Sequence, residues 1–263
     1  MGANDAMTSP AASGALDGRT VLVTGSGQNI GRAIARMMAR EGANVIVNGH
    51  ENREHVDAVV NEIEADGGKA AGIMADVGDP TAVVRMVKEA EASFGTIDIS
   101  VSNVAIRHKQ PFLDISVDDW NATLNSNLSA SFYLARAVIP GMKARRWGRI
   151  IHISGVDGFA GDIANRAHNI VCKAGVHALS KALSLEFGEF GITANTVAPG
   201  VFDTTRDWSQ YPADLAKLGG PPIPLRRAGH VDEIAAACVY LASELAGFVA
   251  GEVIHVNGGQ YMY

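Results

Sequence analysis

Residues 20–49 read TVLVTGSGQNIGRAIARMMAREGANVIVNG. Residues 21–24 form an apolar, β-branched run without alternation, the pattern of a strand buried on both faces. The run enters Gly25-Ser26-Gly27, and a helix follows whose apolar stripe is Ile30, Ala33, Ile34, Met37 and Met38. Residues 44–48 are a second buried run, so the stretch is a βαβ unit with glycines at its first turn. Such a turn brings backbone N–H groups close to a pyrophosphate held at the helix N-terminus. The spacing Gly25, Gly27, Gly31 departs from G-x-G-x-x-G, and a glycine trio alone also fits a tight turn without a ligand. Its place between a buried strand and an amphipathic helix favours nucleotide binding.

Outward from this unit, strand and helix patterns alternate to the end. Helical spacing covers residues 53–65, 80–94, 117–143, 164–190 and 231–243, and short apolar runs at 70–77, 97–103, 148–154, 193–198 and 252–256 read as strands. Residues 201–227 carry Pro212, Pro221, Pro222, Pro224 and Gly219-Gly220, the composition of a mobile loop over a site. The expected fold is a single α/β domain over residues 17–263. It is a doubly wound, Rossmann-type parallel sheet of about seven strands with helices on both faces. Ligands bind beyond the carboxyl ends of such strands, where Gly25, Asp76, Asn103, Ser154 and Pro199 converge.

The totals exclude several classes. Hydrophobic residues make up 47% and charged residues 19%, which describes a well-cored chain rather than a disordered one. The formal net charge is -6 without a long basic run, which argues against nucleic acid or an anionic membrane surface as partner. Cys172 and Cys238 offer neither metal-ligand spacing nor a disulfide framework, so no metal is expected and a reducing, cytoplasmic setting fits. Residues 1–16, rich in Ala, Gly, Ser and Pro, read as a flexible tail and not a signal peptide. No apolar run reaches the length of a membrane span.

A set of short motifs then bears on identity. These are Thr24-Gly25 with Gly31, Asp76-Val77, Ser102-Asn103-Val104-Ala105, Asn127-Leu128, Gly148-Arg149-Ile150-Ile151, Lys173-Ala174-Gly175, Asn195 with Pro199-Gly200, and Gly258-Gly259. Together they resemble the short-chain dehydrogenase/reductase family from Leu16 onward. The flavour is that of the acyl-carrier-protein reductase-like branch, from SNLSASFYLARAVIPGM and SLEFGEFGITANTVAPG. The resemblance implies a nicotinamide cofactor, hydride transfer at a carbonyl or alcohol carbon of a small-molecule carbonyl or acyl substrate, and a homotetramer or homodimer built on the long helices and last strand. Gly25, Gly27, Gln28, Asn29, Ile30 and Gly31 would then form the phosphate turn, and Asp76 and Val77 would meet the adenine. Asn103, Val104 and Ala105 would line the adenosine side, and Pro199, Gly200, Val201 and Thr204 the nicotinamide carboxamide. Lys173 would hold the nicotinamide ribose, with Asn127 fixing a water that relays protons to it.

Four positions depart from the family pattern. The tyrosine four residues before the lysine is Asn169, and the serine after the fifth strand is Gly155, with Ser154 one step early. Asn29 replaces a turn glycine, which asparagine tolerates because it adopts positive φ more readily than most residues. Ala105 replaces another glycine. An amide cannot exchange the proton that a phenol of pKa about 10, lowered by a lysine, would exchange. His168, adjacent to Asn169, reaches the site only if the helix start is displaced, and one extra residue between the fifth strand and Lys173 permits that. Ser154 supplies the missing hydroxyl only if the strand end slips by one residue. Asp157 reads either as a solvated loop aspartate or as a base, and Cys172 as a small helix residue.

The cofactor reading turns on the end of the second strand, Asn48-Gly49-His50. No carboxylate stands there to bind a ribose 2′-hydroxyl, which leans toward NADP(H) and leaves NAD(H) open. Arg107, His108 and Lys109 at the mouth, and Arg206 at the lid, form a basic rim that suits an anionic group as well as it suits solvent. Three functions follow: an NAD(P)(H)-dependent oxidoreductase with an atypical proton-transfer site, a cofactor-binding homologue without turnover, or a lyase or isomerase on the same fold. The dienoyl-CoA reductase branch, in which a histidine can stand five residues before the lysine, is the runner-up for the first.

Overall fold

The computed structural model describes residues 14–160, 164–205 and 223–262. Seven strands form one sheet: β1 Thr20–Val23, β2 Asn44–Gly49, β3 Lys69–Met74, β4 Ile99–Ser102, β5 Gly148–Ile153, β6 Ile192–Pro199 and β7 Val253–Val256. Their order is β3-β2-β1-β4-β5-β6-β7, and every neighbouring pair is parallel. Parallel neighbours need crossovers, and the crossover helices cover both faces. The helices are α1 Asn29–Arg40, α2 Arg53–Ala65, α3 Pro80–Phe94, α4 Val117–Leu124, α5 Ala130–Arg145, α6 Ala167–Phe187 and α7 Val231–Ala242.

Two cores result. Val21, Val23, Val45, Val47, Ile151 and Ile153 pack with α1, α2 and α7, whereas Leu22, Ile46 and Ile150 pack with α3, α5 and α6. Alternate residues of each strand therefore serve opposite layers, as the pleat requires. The strand order reverses between β1 and β4, so the turns after these two strands flank a crevice. This is the topological switch point at which such sheets bind ligands.

Several boundaries differ from the sequence expectation. The third strand ends at Met74, which leaves Asp76 and Val77 in the turn beyond it. Helix α6 starts at Ala167 and not at 164, because Asn165 takes the left-handed conformation (φ 66°) and Arg166 (φ -136°, ψ 28°) lies outside the helical region. The helical run over 117–143 is two helices joined by a π turn, Asn125–Ser129. Leu16, assigned to the tail, is buried, and its N–H donates to the Glu41 carbonyl at 2.9 Å. The rest of the tail up to residue 13, and residues 206–222 of the expected lid with Arg206, lie outside the described residues. The two ends of that lid are joined where Phe202 bridges Gly229. Among the described residues no helix is long and apolar enough to cross a membrane, and no group of His, Cys, Asp and Glu is placed to hold a metal.

Candidate active site

The glycine turn is set by close packing. A Cβ on Gly31 would sit 2.4 Å from the Gly25 carbonyl oxygen and 2.7 Å from Asn103 Nδ2, so only glycine lets α1 start this near β1. Gly25 has φ +58°, and a Cβ there would meet Val104 Cγ2 at 2.8 Å. Asn103 ties the two turns together: its Nδ2 donates to the carbonyls of Thr24 and Gly25, both at 3.1 Å. Asn29 adopts φ 50°, and its Oδ1 accepts from the N–H (3.0 Å) and the hydroxyl (2.9 Å) of Thr205.

A cavity of about 290 Å³ opens over this turn, lined by Gly25, Gln28, Asn29, Ile30, Gly31, Asn103, Val104, Ala105, Arg107 and Thr204. Helix α1 begins at its floor. Side chains of Asn52, Asp79, Ser116 and His230 cap α2, α3, α4 and α7, but no side chain caps α1 and no acidic residue stands in its first turn. Its leading N–H groups are therefore left for an anion from outside. Turn, cavity and uncapped helix fit the pyrophosphate of a dinucleotide.

Other expected cofactor residues take different places. Gly27 faces α2, where a Cβ would lie 3.1 Å from His55 Cβ. Asn48 is buried and structural: its Oδ1 accepts from Gly25 N–H, and its Nδ2 donates to the carbonyls of Gly49, Ile73 and Ala75. A Cβ on Gly49 would sit 2.5 Å from Val56 Cγ2, so α2 packs directly over this position. His50 Nε2 lies 4.0 Å from Asp76 Oδ2, and both side chains are more than half exposed beyond β2 and β3. Val77 is buried in the core under α3. Pro199 ends β6, and Gly200 packs against Asn257. Val201, expected beside the nicotinamide, instead lines a second cavity of about 220 Å³ with Phe202, His255, Asn257, Gly258 and Gly259.

The expected catalytic residues divide into a group brought together and a group turned away. Asn127, inside the π turn, donates to the Ile106 carbonyl and accepts from its N–H, both at 2.7 Å, and donates to Asn169 Oδ1 at 3.3 Å. One turn beyond Asn169 on α6, Lys173 is 4% exposed, and its Nζ donates to the Ile153 carbonyl at 3.0 Å. Burial, aided by the Arg107 cation, lowers its pKa to about 7, against the pull of Asp157. Ser154 does not slip. Pairing of Ile153 with Val197 continues as Ser154 N–H donates to the Val197 carbonyl, so the hydroxyl points with His152 toward α6. There it lies 2.8 Å from His177 Nε2 and is 2% exposed.

His168 is likewise not delivered to Lys173. The helix start is not displaced enough, because Asn169 holds the inward position against Asn127. The His168 ring is buried, neither nitrogen has a hydrogen-bond partner among the described residues, and the charges that act on it are those of His108, Asp119 and Arg166. Asp157 lies 3.8 Å from the buried Arg166. Cys172 is buried with its pKa raised to about 11, mainly by desolvation, which keeps it an inert thiol. Gly155 has room for a side chain: among the described residues a Cβ would find nothing nearer than Asp157 N at 3.9 Å.

The family model described as enoyl-(acyl carrier protein) reductase matches residues 25–260. The chain belongs to the short-chain dehydrogenase/reductase family. It is 38% identical over 246 residues to a 3-oxoacyl-acyl-carrier-protein reductase of Staphylococcus aureus, covering 93% of this chain and 98% of that one. The corresponding protein of Salmonella typhimurium is 38% identical over 247 residues, at 94% and 98% coverage. Among solved structures, a gluconate 5-dehydrogenase from Burkholderia cenocepacia in complex with NADP and tartrate superposes with a TM-score of 0.85 and 35% identity, covering 93% of this chain and 96% of that one. A blue fluorescent protein from a metagenomic library, in complex with NADPH, gives 0.87 and 30%, at 94% and 99% coverage.

Two features of this short-chain dehydrogenase/reductase were missed in the sequence. His177, stacked on Phe159 at 4.4 Å between ring centres, fixes Ser154, and its spacing of four from Lys173 was the available signal. A buried chain runs from His152 Nδ1 through Ser180 to Thr196, each step 2.8 Å. Arg107, read only as rim, lines the same cavity as the glycine turn.

Proposed function

We propose that this short-chain dehydrogenase/reductase is an NAD(P)(H)-dependent oxidoreductase of a small carbonyl or alcohol substrate. In this reading proton transfer takes place without the phenol and hydroxyl that the resemblance expects at Asn169 and Gly155. The observation that carries it is the cavity over an uncapped α1, one of whose lining residues, Arg107, acts on the charge of the buried Lys173. When bound, a nicotinamide dinucleotide supplies the hydride chemistry. The first turn of α1 would hold its pyrophosphate, Asp76 its adenine, Lys173 its ribose and Thr204 its carboxamide side.

NADP(H) is favoured over NAD(H) because Gly49 carries no carboxylate and α2 leaves no room for one. The relatives' names point to oxo or hydroxy compounds, either acyl chains or sugar acids, as the substrate class. Assembly into a homodimer or homotetramer is part of the same proposal. An apolar groove on the outer side of α5 and α6 supports it, lined by Leu128, Phe132, Tyr133, Gly175, Ala178, Leu179 and Ala182.

The test is calorimetric titration with NADPH, NADH and their oxidised forms, followed by a panel of oxo substrates. Saturable binding, tightest for NADPH, with turnover of at least one substrate is expected. No saturable heat with any nucleotide would refute the reading. Binding without turnover would favour a second reading, a cofactor-binding homologue, which the unreactive side chains at Asn169 and Gly155 support.

A further inference from the structure

We propose that the Lys173 ammonium is the group that gives a proton to the substrate oxygen, a role beyond holding the ribose. This rests on the oxidoreductase reading above and assigns its proton. Lys173 stands one helical turn after Asn169 on the inward face of α6, and its Nζ uses one of three protons on the Ile153 carbonyl. Ile153 ends β5, two residues before Gly155, so the ammonium lies at the carboxyl end of β5, the end at which such sheets bind ligands. Among the described residues no carboxylate pairs with it.

The other ionisable groups nearby are committed elsewhere. His177 is bound to Ser154 and stacked on Phe159, His168 faces His108 and Asp119, Asp157 faces Arg166, and Cys172 is a buried thiol. The charges that set the acidity of Lys173 come from every side of it. Arg107, in the loop after β4, opposes the protonated form; Asp157, after β5, and Cys172, on α6, favour it. His177, one turn further along α6, is itself opposed by Lys173. Burial is the largest influence and acts with Arg107, which brings the ammonium into the range where an acid works best near neutrality.

The chemistry balances. A reduced nicotinamide dinucleotide, when bound, would supply the hydride for the new C–H bond at the carbonyl carbon and would be oxidised as the carbonyl is reduced. The negative charge that develops on oxygen takes a proton as an Nζ–H bond breaks and an O–H bond forms. Lys173 is left a neutral amine and regains its proton from water. In the direction of oxidation the same amine takes the proton from the alcohol.

The decisive measurement needs no cofactor. Full-length protein labelled with nitrogen-15 in lysine is titrated between about pH 5 and about pH 11, with the Nζ signal assigned by its loss in Lys173→Arg. Arg107→Gln, a change at an exposed position, keeps the test open should Lys173→Arg fail to fold. A midpoint well below 10.5 that rises in Arg107→Gln is expected. The reduction rate should fall above that midpoint and move with it in Arg107→Gln. In Asn169→Tyr, where a phenol returns, the rate should cease to follow the Lys173 midpoint. An Nζ midpoint near 10.5, or a kinetic midpoint that ignores Arg107→Gln while Nζ moves, overturns the proposal. Absence of nucleotide binding, or binding without turnover of any oxo substrate, would instead refute the oxidoreductase reading itself, so the two failures are told apart.

Discussion

Gly155 has φ 177° and ψ 162°, an extended backbone that any residue adopts, and space where a side chain would go. Serine therefore enters there without strain. Gly155→Ser combined with Asn169→Tyr should raise kcat/KM for a working oxo substrate by about 10²-fold or more, as a phenol and an oxyanion donor return together. An unchanged kcat/KM in a folded double variant would show that Lys173 and its surroundings already supply all the proton chemistry the site can use. Gly49 is the opposite case. A methyl group there lies 2.5 Å from Val56 Cγ2, so Gly49→Ala should destabilise the protein by about 1–3 kcal/mol, read as a lowered midpoint in urea. At this scale the sequence was informative where the chemistry is local and silent where it depends on direction. Asn29 takes positive φ, as its side chain allows. The hydroxyl of Ser154 points to α6 because the pleat alternates from Ile153, and that phase is fixed by pairing with β6, which no local pattern encodes.

The contact of α6 with β5 and β6 is unusually polar for a buried interface. Lys173, His177, Ser180 and Ser184 follow one another down one face of the helix and bond to Ile153, Ser154, His152 with Thr196, and Ala194 respectively. His152 and His177 are held neutral. Burial is the main cause in both and lowers each to about 4, with His177 adding to the effect on His152, and His255, Lys173 and Lys181 adding to that on His177. A folded pKa below the unfolded value of 6.5 means that the unfolded chain binds more protons on acidification. Stability from these two groups is therefore complete above about pH 6.5 and is lost as pH falls toward about 4. The loss approaches roughly 3 kcal/mol for His152. Urea unfolding at successive pH values should show that slope, and His152→Gln should flatten it. A slope unchanged by that substitution would assign the acid sensitivity to His177 or to carboxylates instead. The element boundaries were largely legible, since periodicity located every strand of the sheet. The start of α6 was not, because the left-handed turn at Asn165 is imposed by its surroundings. One such contact is visible, the Asn165 carbonyl accepting from Gln110 N–H at 2.8 Å.

Among the described residues, apolar side chains stay uncovered in the single chain at several places, and two of these lie on the long helices and beside the last strand. One is the groove on α5 and α6 with Phe132 half exposed, extended along α6 by Val171 and Leu185. The other includes Tyr240, Leu245 and Phe248 between α7 and β7. Contiguous apolar patches of this kind mark contact surfaces in proteins that remain dispersed. The parallel sheet, closed on both faces by its own helices, does not need them for its core. The proposed assembly uses both, one pairing long helices and the other aligning last strands, and two different self-complementary surfaces generate a tetramer where one alone gives a dimer. Phe132→Glu places a charge in the middle of the helix groove, and Phe248→Glu does the same at the other surface. If both patches are contacts, sedimentation velocity should show a tetramer for the unmodified chain, dimers for each single variant and monomers for the double variant, with far-UV circular dichroism unchanged. A single variant that remains tetrameric would remove its patch from the assembly. Dimers in the unmodified chain, abolished by only one of the two changes, would leave one contact and a two-chain molecule.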